Sequence, residues 1–178
     1  MDQAKNIFYN CLGNKSFMAR EGMLEKYNAY NISQEQENKW CIEKLDFLEK
    51  ELVNIREYNN LRSLLFEYKW YAKIIDKKRY IVFVQNLYKQ KSNNFGPFTS
   101  IRIIEDIFEV FDGIENVSDN YGNVSKYFIA ELKKIYERYF SGCLVDIDIP
   151  DRPSGMKKEE ICERLQNDIK QYSEQYGL

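Results

Sequence analysis

The chain has 178 residues, 28 acidic against 26 basic side chains, a net charge of −2 and no histidine. That length suits one domain with a core of its own, able to bury roughly 70% of the surface an unfolded chain exposes. The missing histidine excludes Ser-His-Asp and Cys-His catalysis, removes every scheme with a histidine base, and takes away the commonest zinc and iron ligand.

Tyrosine leads an aromatic content of 15%, and a ring with a polar tip suits half-buried surfaces and interfaces. The cysteines Cys11, Cys41, Cys143 and Cys162 form no C-x-x-C pair and sit beside apolar residues, so they read as buried free thiols. With no signal-like N-terminus and no run long enough to span a membrane, the expected location is cytoplasmic.

In chain order, Ala4, Ile7, Phe8 and Cys11 make one turn-spaced stripe that ends at Gly13. A short helix is predicted over residues 16–30, with Phe17, Leu24, Tyr27 and Tyr30 apolar and Gly22 its weak point. Ser33 followed by Gln36 fits a capping box. The helix it opens carries Cys41, Leu45, Leu48, Leu52 and Ile55 at spacings of four and three. Two heptads are too few for a coiled-coil seam, so the stripe faces the protein's own core, although cover by a second copy, a homodimer, stays open.

Leu61, Leu64, Leu65, Tyr68, Ala72 and Ile75 share the next helical face, and the two long helices are expected to form an antiparallel hairpin. Residues 80–84 are rich in β-branched and aromatic side chains, as in a strand, but helical spacing continues through them and a helix is preferred. Residues 92–99 hold Gly96 and Pro97 and form the best internal boundary, with Thr99 as the expected cap of the next helix. That helix, near residues 100–113, is apolar around most of its circumference and therefore central. A loop follows, then a helix over 123–140 with Phe128, Leu132, Ile135 and Tyr139 inward. Val145 to Ile149 alternates like a short strand, and a last helix from about Met156 carries Ile161, Leu165, Tyr172 and Tyr176. The expected fold is a mainly α single domain, a bundle of six to eight helices with one or two short strands at most (80–84, 144–149).

Three groups of residues could carry function. Asp146, Asp148 and Asp151 could hold Mg²⁺ or Mn²⁺ through oxygen, but no Gly-rich loop accompanies them and only Arg152 adjoins them. Glu105, Glu109 and Asp112 align on one helix face, in a segment (100–121) with one arginine against six carboxylates. Like charges in a row cost helix stability unless offset, by solvent or by a basic partner. Residues 68–91 are the reverse: seven cations, Lys77, Lys78 and Arg79 among them, against Asp76, with Tyr68, Trp70, Tyr71, Tyr80 and Tyr88 interleaved. Cations and rings together are the minimum for a nucleic-acid surface. Pairing of this basic segment with the chain's own acidic one is the plainer expectation.

No catalytic constellation, metal site or cofactor loop emerges, so the protein is expected not to be an enzyme. It is expected to act by binding another protein, a basic one. The narrower form is a bacterial or phage inhibitor or immunity-type protein that places Glu105, Glu109, Asp112, Asp146 and Asp148 against its partner. A helical nucleic-acid binder using Lys77, Lys78 and Arg79 is the alternative, and a carboxylate-metal enzyme the next; membrane binding is not expected.

Overall fold

In the computed structural model, which describes residues 2–55, 58–111, 117–140, 149 and 151–177, nine α-helices and no strand occur among the described residues. The expected mainly helical bundle is met. The chain divides into two compact units, Met1–Phe83 and Val84–Leu178. The division falls ahead of residues 92–99, inside a helix.

The first unit begins with α1 (Asp2–Asn10), whose Ala4 and Phe8 are buried, as is Cys11 just beyond it. Gly13 follows at φ +65°, where an added Cβ would come within 2.8 Å of the Phe8 ring and 3.0 Å of Ile74 Cδ1. The single helix expected over 16–30 is two, α2 (Lys15–Arg20) and α3 (Leu24–Asn28). The chain breaks between them at Gly22, which takes the left-handed conformation (φ +67°) that glycine adopts at little cost. Asn14 caps α2 by accepting the N–H groups of Ser16 and Phe17 at 2.8 and 3.2 Å.

Helix α4 (Gln34–Asn54) starts where expected, with Ser33 Oγ accepting the Gln36 N–H at 3.2 Å. Cys41, Leu45, Leu48 and Leu52 are fully buried. Each buried leucine contributes roughly 1.5–3 kcal/mol. Ile55 lies past the helix end, in an extended conformation. Helix α5 (Tyr58–Ile75) packs along α4, burying Leu61, Leu65, Tyr68 and Ala72, and the Lys44–Glu67 pair at 2.9 Å ties the two flanks.

Residues 80–84 belong to α6 (Lys77–Lys91), so no strand forms there. Tyr80, Ile81, Val84, Leu87 and Tyr88 are buried at helical spacing, and that period outweighs their β-branched composition. Asp76 separates α5 from α6, its carboxylate accepting the Arg79 N–H at 3.1 Å as a cap.

The second unit contains a 3-10 turn (Ser92–Asn94), α7 (Pro97–Phe111), α8 (Val117–Tyr139) and α9 (Lys158–Gln175). α7 is central: Ile101, Ile103, Ile104, Ile107, Phe108, Val110 and Phe111 are all buried. It opens at Pro97, two residues before the expected cap Thr99, because its cap comes from elsewhere in the chain. α8 starts six residues earlier than expected. The Asn, Asp and Gly composition of its first turns is overridden where the Tyr121 ring packs on Phe111, centroids 6.0 Å apart. α9 buries Ile161 and Leu165 and stacks Tyr172 on Phe108 at 3.9 Å. Of the segment expected to alternate as a strand, 144–148 lies outside the described residues, and Ile149 is buried without regular structure.

Candidate functional site

Asp146, Asp148 and Asp112 lie outside the described residues. Asp151 is a structural residue. Its Oδ1 accepts the Phe98 N–H at 2.9 Å and its Oδ2 the Thr99 N–H at 2.7 Å. Gly96 occupies the cap position of α7, its carbonyl accepting the Ser100 N–H at 3.0 Å, and it has no side chain to reach those donors. Asp151 supplies the missing carboxylate from more than fifty residues away, and the helix dipole favours its charge. Among the described residues no group of three Cys, Asp or Glu side chains is placed to hold a metal ion.

The acidic stripe on α7 is not one exposed surface. Glu109 is exposed, but Glu105 is buried, with 8% of its surface accessible. Arg102 Nη1 donates to Glu105 Oε2 at 2.5 Å, and Arg164 Nε of α9 lies 2.7 Å from Oε1. Two guanidiniums therefore offset the Glu105 charge, and this is a correction to its expected role in an exposed stripe. Glu105, Asp106, Glu109 and Asp168 line a cleft of about 370 Å³ between α7 and α9. Asp168 Oδ2 is buried there without a hydrogen-bond partner. Burial lifts the Glu105 carboxyl to about 7, against the pull of Arg102 and Arg164, and Asp168 adds to the rise.

In the basic segment, Lys77 is half-buried and Lys78 exposed. Arg79 is tied to α4: Nε donates to Glu49 Oε1 at 2.7 Å and Nη2 to Asp46 Oδ1 at 2.5 Å. Glu49 also accepts the Tyr68 hydroxyl at 2.6 Å. Burial would raise the Glu49 carboxyl, but the hydrogen bonds from Arg79 and Tyr68 outweigh it and hold the group below its ordinary value. Arg79 thus finds its carboxylates on α4, and Glu105 its cations on α7 and α9. Tyr68, Tyr71, Tyr80 and Tyr88 are all buried, so these rings offer no stacking platform beside Lys77 and Lys78.

What the sequence reading missed is the outer face of α5. Phe66, Trp70 and Ile74 recur at every fourth residue, opposite the buried stripe. Phe66 is 48% and Ile74 41% exposed, and Trp70 is half-buried between them. The Phe66 and Trp70 rings meet edge to face at 6.2 Å, and Phe17 of α2 packs on Trp70 at 5.4 Å. Arg20 lies over the Phe17 ring at 4.9 Å. The Trp70 indole N–H is buried without an acceptor. The signal was a second apolar row on a helix whose first row already accounted for its packing. Met23, Ile42, Phe47, Val53 and Val82 are likewise large, apolar and exposed, and all of these residues belong to the first unit.

No helix among the described residues is long and apolar enough to cross a membrane. Compared with protein-family models, curated proteins and solved structures, the chain matches none.

Proposed function

We propose that the protein is a binding module for another protein, and that it engages its partner through the outer face of α5. One observation carries the reading: Phe66, Trp70 and Ile74 form an exposed apolar row, extended by Phe17, on a helix already packed on its other side. Contiguous apolar surface rimmed by charge is what protein interfaces present, and aromatic residues are the side chains most enriched in them. The inhibitor or immunity-type role is the narrower form of this reading, and it requires that the captured partner lose an activity when the face is occupied.

The test uses three baits in the source lysate: the unmodified chain, Phe66→Asp and Glu109→Lys. The expected result is one stoichiometric partner held by the unmodified chain and by Glu109→Lys, and lost by Phe66→Asp. Loss with Glu109→Lys and retention with Phe66→Asp would move the site to the acidic residues of α7.

A further inference from the structure

The two ends of α9 are held in different ways. Ile161 and Leu165 anchor its first half as buried core residues. Past Leu165, none of the described residues of α9 is buried. The end of the helix rests on α7 through rings and carboxyls. Tyr172 stacks on Phe108 at 3.9 Å, and the Tyr176 ring lies 5.5 Å from Phe108 and 5.9 Å from Phe111. Beside these rings, the Asp168 and Glu105 carboxyls come within hydrogen-bond reach of each other. Glu105 Oε1 and Asp168 Oδ2 are both buried and accept no hydrogen bond from the described residues. Arg164 Nε, 2.7 Å from Oε1, makes a charge contact only. Two buried acceptors on adjoining carboxyls thus lack a donor, which is costly, and one carboxyl proton supplies it.

We infer that residues 168–177 are an acid-closed strap, held on α7 by a proton that Glu105 carries on Oε1 and donates to Asp168 Oδ2, and released when that proton leaves. The other charged groups lining the cleft are Arg102, Asp106 and Glu109 of α7 and Arg164 of α9, and α8 contributes none among the described residues. Burial is the largest influence on Glu105 and lifts its carboxyl to about 7, against Arg102 and Arg164, with Asp168 adding to the rise. Once Glu105 is ionised, two carboxylates adjoin in a partly buried cleft with no donor between them, and opening lets water reach both. A helix end without core residues opens locally ahead of the global fold. The proton count sets the direction. The closed strap keeps a proton that the open one gives up above the ordinary value of 4.5. Closure is therefore favoured in mild acid and weakens as pH rises towards 7. Opening uncovers the Phe108 and Phe111 faces on which the two tyrosine rings rest. The strap is independent of the α5 face.

The experiment is hydrogen–deuterium exchange of the full chain from about pH 5 to about pH 8, corrected for the intrinsic pH dependence of amide exchange. Amides of residues 168–176 should lose protection on the order of tenfold across that range, while those around Ile161 and Leu165 keep theirs. Glu105→Gln offers Asp168 a permanent N–H donor, and Asp168→Asn offers one to Glu105, so each should hold the strap closed at every pH. Protection that is flat with pH in the unmodified chain overturns the strap. So does a loss spread evenly over α7, α8 and α9, or an unchanged pH dependence in either variant. If circular dichroism shows a variant misfolded, the carbon-13 shift of the Glu105 carboxyl in the unmodified chain decides. It should titrate together with the amide protection, and a midpoint at the ordinary carboxylate value overturns the inference.

Discussion

The Asp151 carboxylate fills the space that a side chain on Gly96 would need: a Cβ built there would overlap its Cγ and both oxygens. The two residues act as one N-cap, divided between a backbone position and a distant side chain. Replacing Asp151 with Ala should destabilise the chain by about 1–2 kcal/mol, the usual worth of a cap. Gly96→Ala should cost a similar amount by displacing the carboxylate. In the double variant the clash is gone, so the summed loss should exceed the measured one. Urea denaturation of all four proteins reads this coupling, and strict additivity would mean that the two sites are independent.

Glu105 should give the stability a pH dependence between about 4.5 and 7. Burial raises its carboxyl to about 7 in the folded chain. A group raised in this way binds its proton more tightly folded than unfolded. Its contribution is therefore complete below about 4.5, the unfolded value, and lost as pH rises towards 7. The loss should be on the order of 2 kcal/mol. Glu105→Gln carries no titrating proton and should flatten this part of the curve. Melting temperatures at half-unit steps from pH 4.5 to 8 test it, and identical curves for the two proteins would rule it out.

The Tyr68–Glu49–Arg79 cluster should act at the acid end. Tyr68→Phe keeps the ring and removes one donor, for a loss of about 1 kcal/mol. Arg79→Met removes the donor to both Glu49 and Asp46, and should cost more. Because Glu49 is held below its ordinary value, its contribution is present at neutral pH and lost as pH falls through the folded value. Acid titrations followed by circular dichroism should show a shallower decline in Arg79→Met than in the unmodified protein.

Phe66→Asp should leave stability within about 0.5 kcal/mol of the unmodified chain, since the ring is half exposed and the helix is packed on its opposite side. Leu48→Ala, from the fully buried stripe of α4, should cost about 2–5 kcal/mol. A calorimetric comparison separates them. A large loss in Phe66→Asp would show that this face is part of the packing and not a docking surface.

Periodicity made most of this fold legible. Ser33 with Gln36, and the leucines at 45, 48 and 52, identify α4 because cap and stripe are both local signals. The cap of α7 was not legible, since Asp151 reaches it through space and Gly96-Pro97 marks only the position. The earlier start of α8 depends on Tyr121 meeting Phe111, again a contact between distant segments. The α7 carboxylates illustrate a different limit: spacing puts Glu105 and Glu109 on neighbouring positions of one surface, yet only packing of α9 decides that Glu105 is covered. The row on α5 is a second apolar stripe: Phe66 and Ile74 fall outside the predicted buried face, and Trp70 is counted only among the rings of the basic segment.

Trp40 is buried and Trp70 half-buried, and both tryptophans of the chain belong to the first unit. Intrinsic fluorescence excited at the red edge is thus an optical label for residues 1–83 alone, whereas far-ultraviolet dichroism weighs the helices of both units. Two spectrometers following one heating ramp would then report whether the halves of this chain melt as a single cooperative block or in succession.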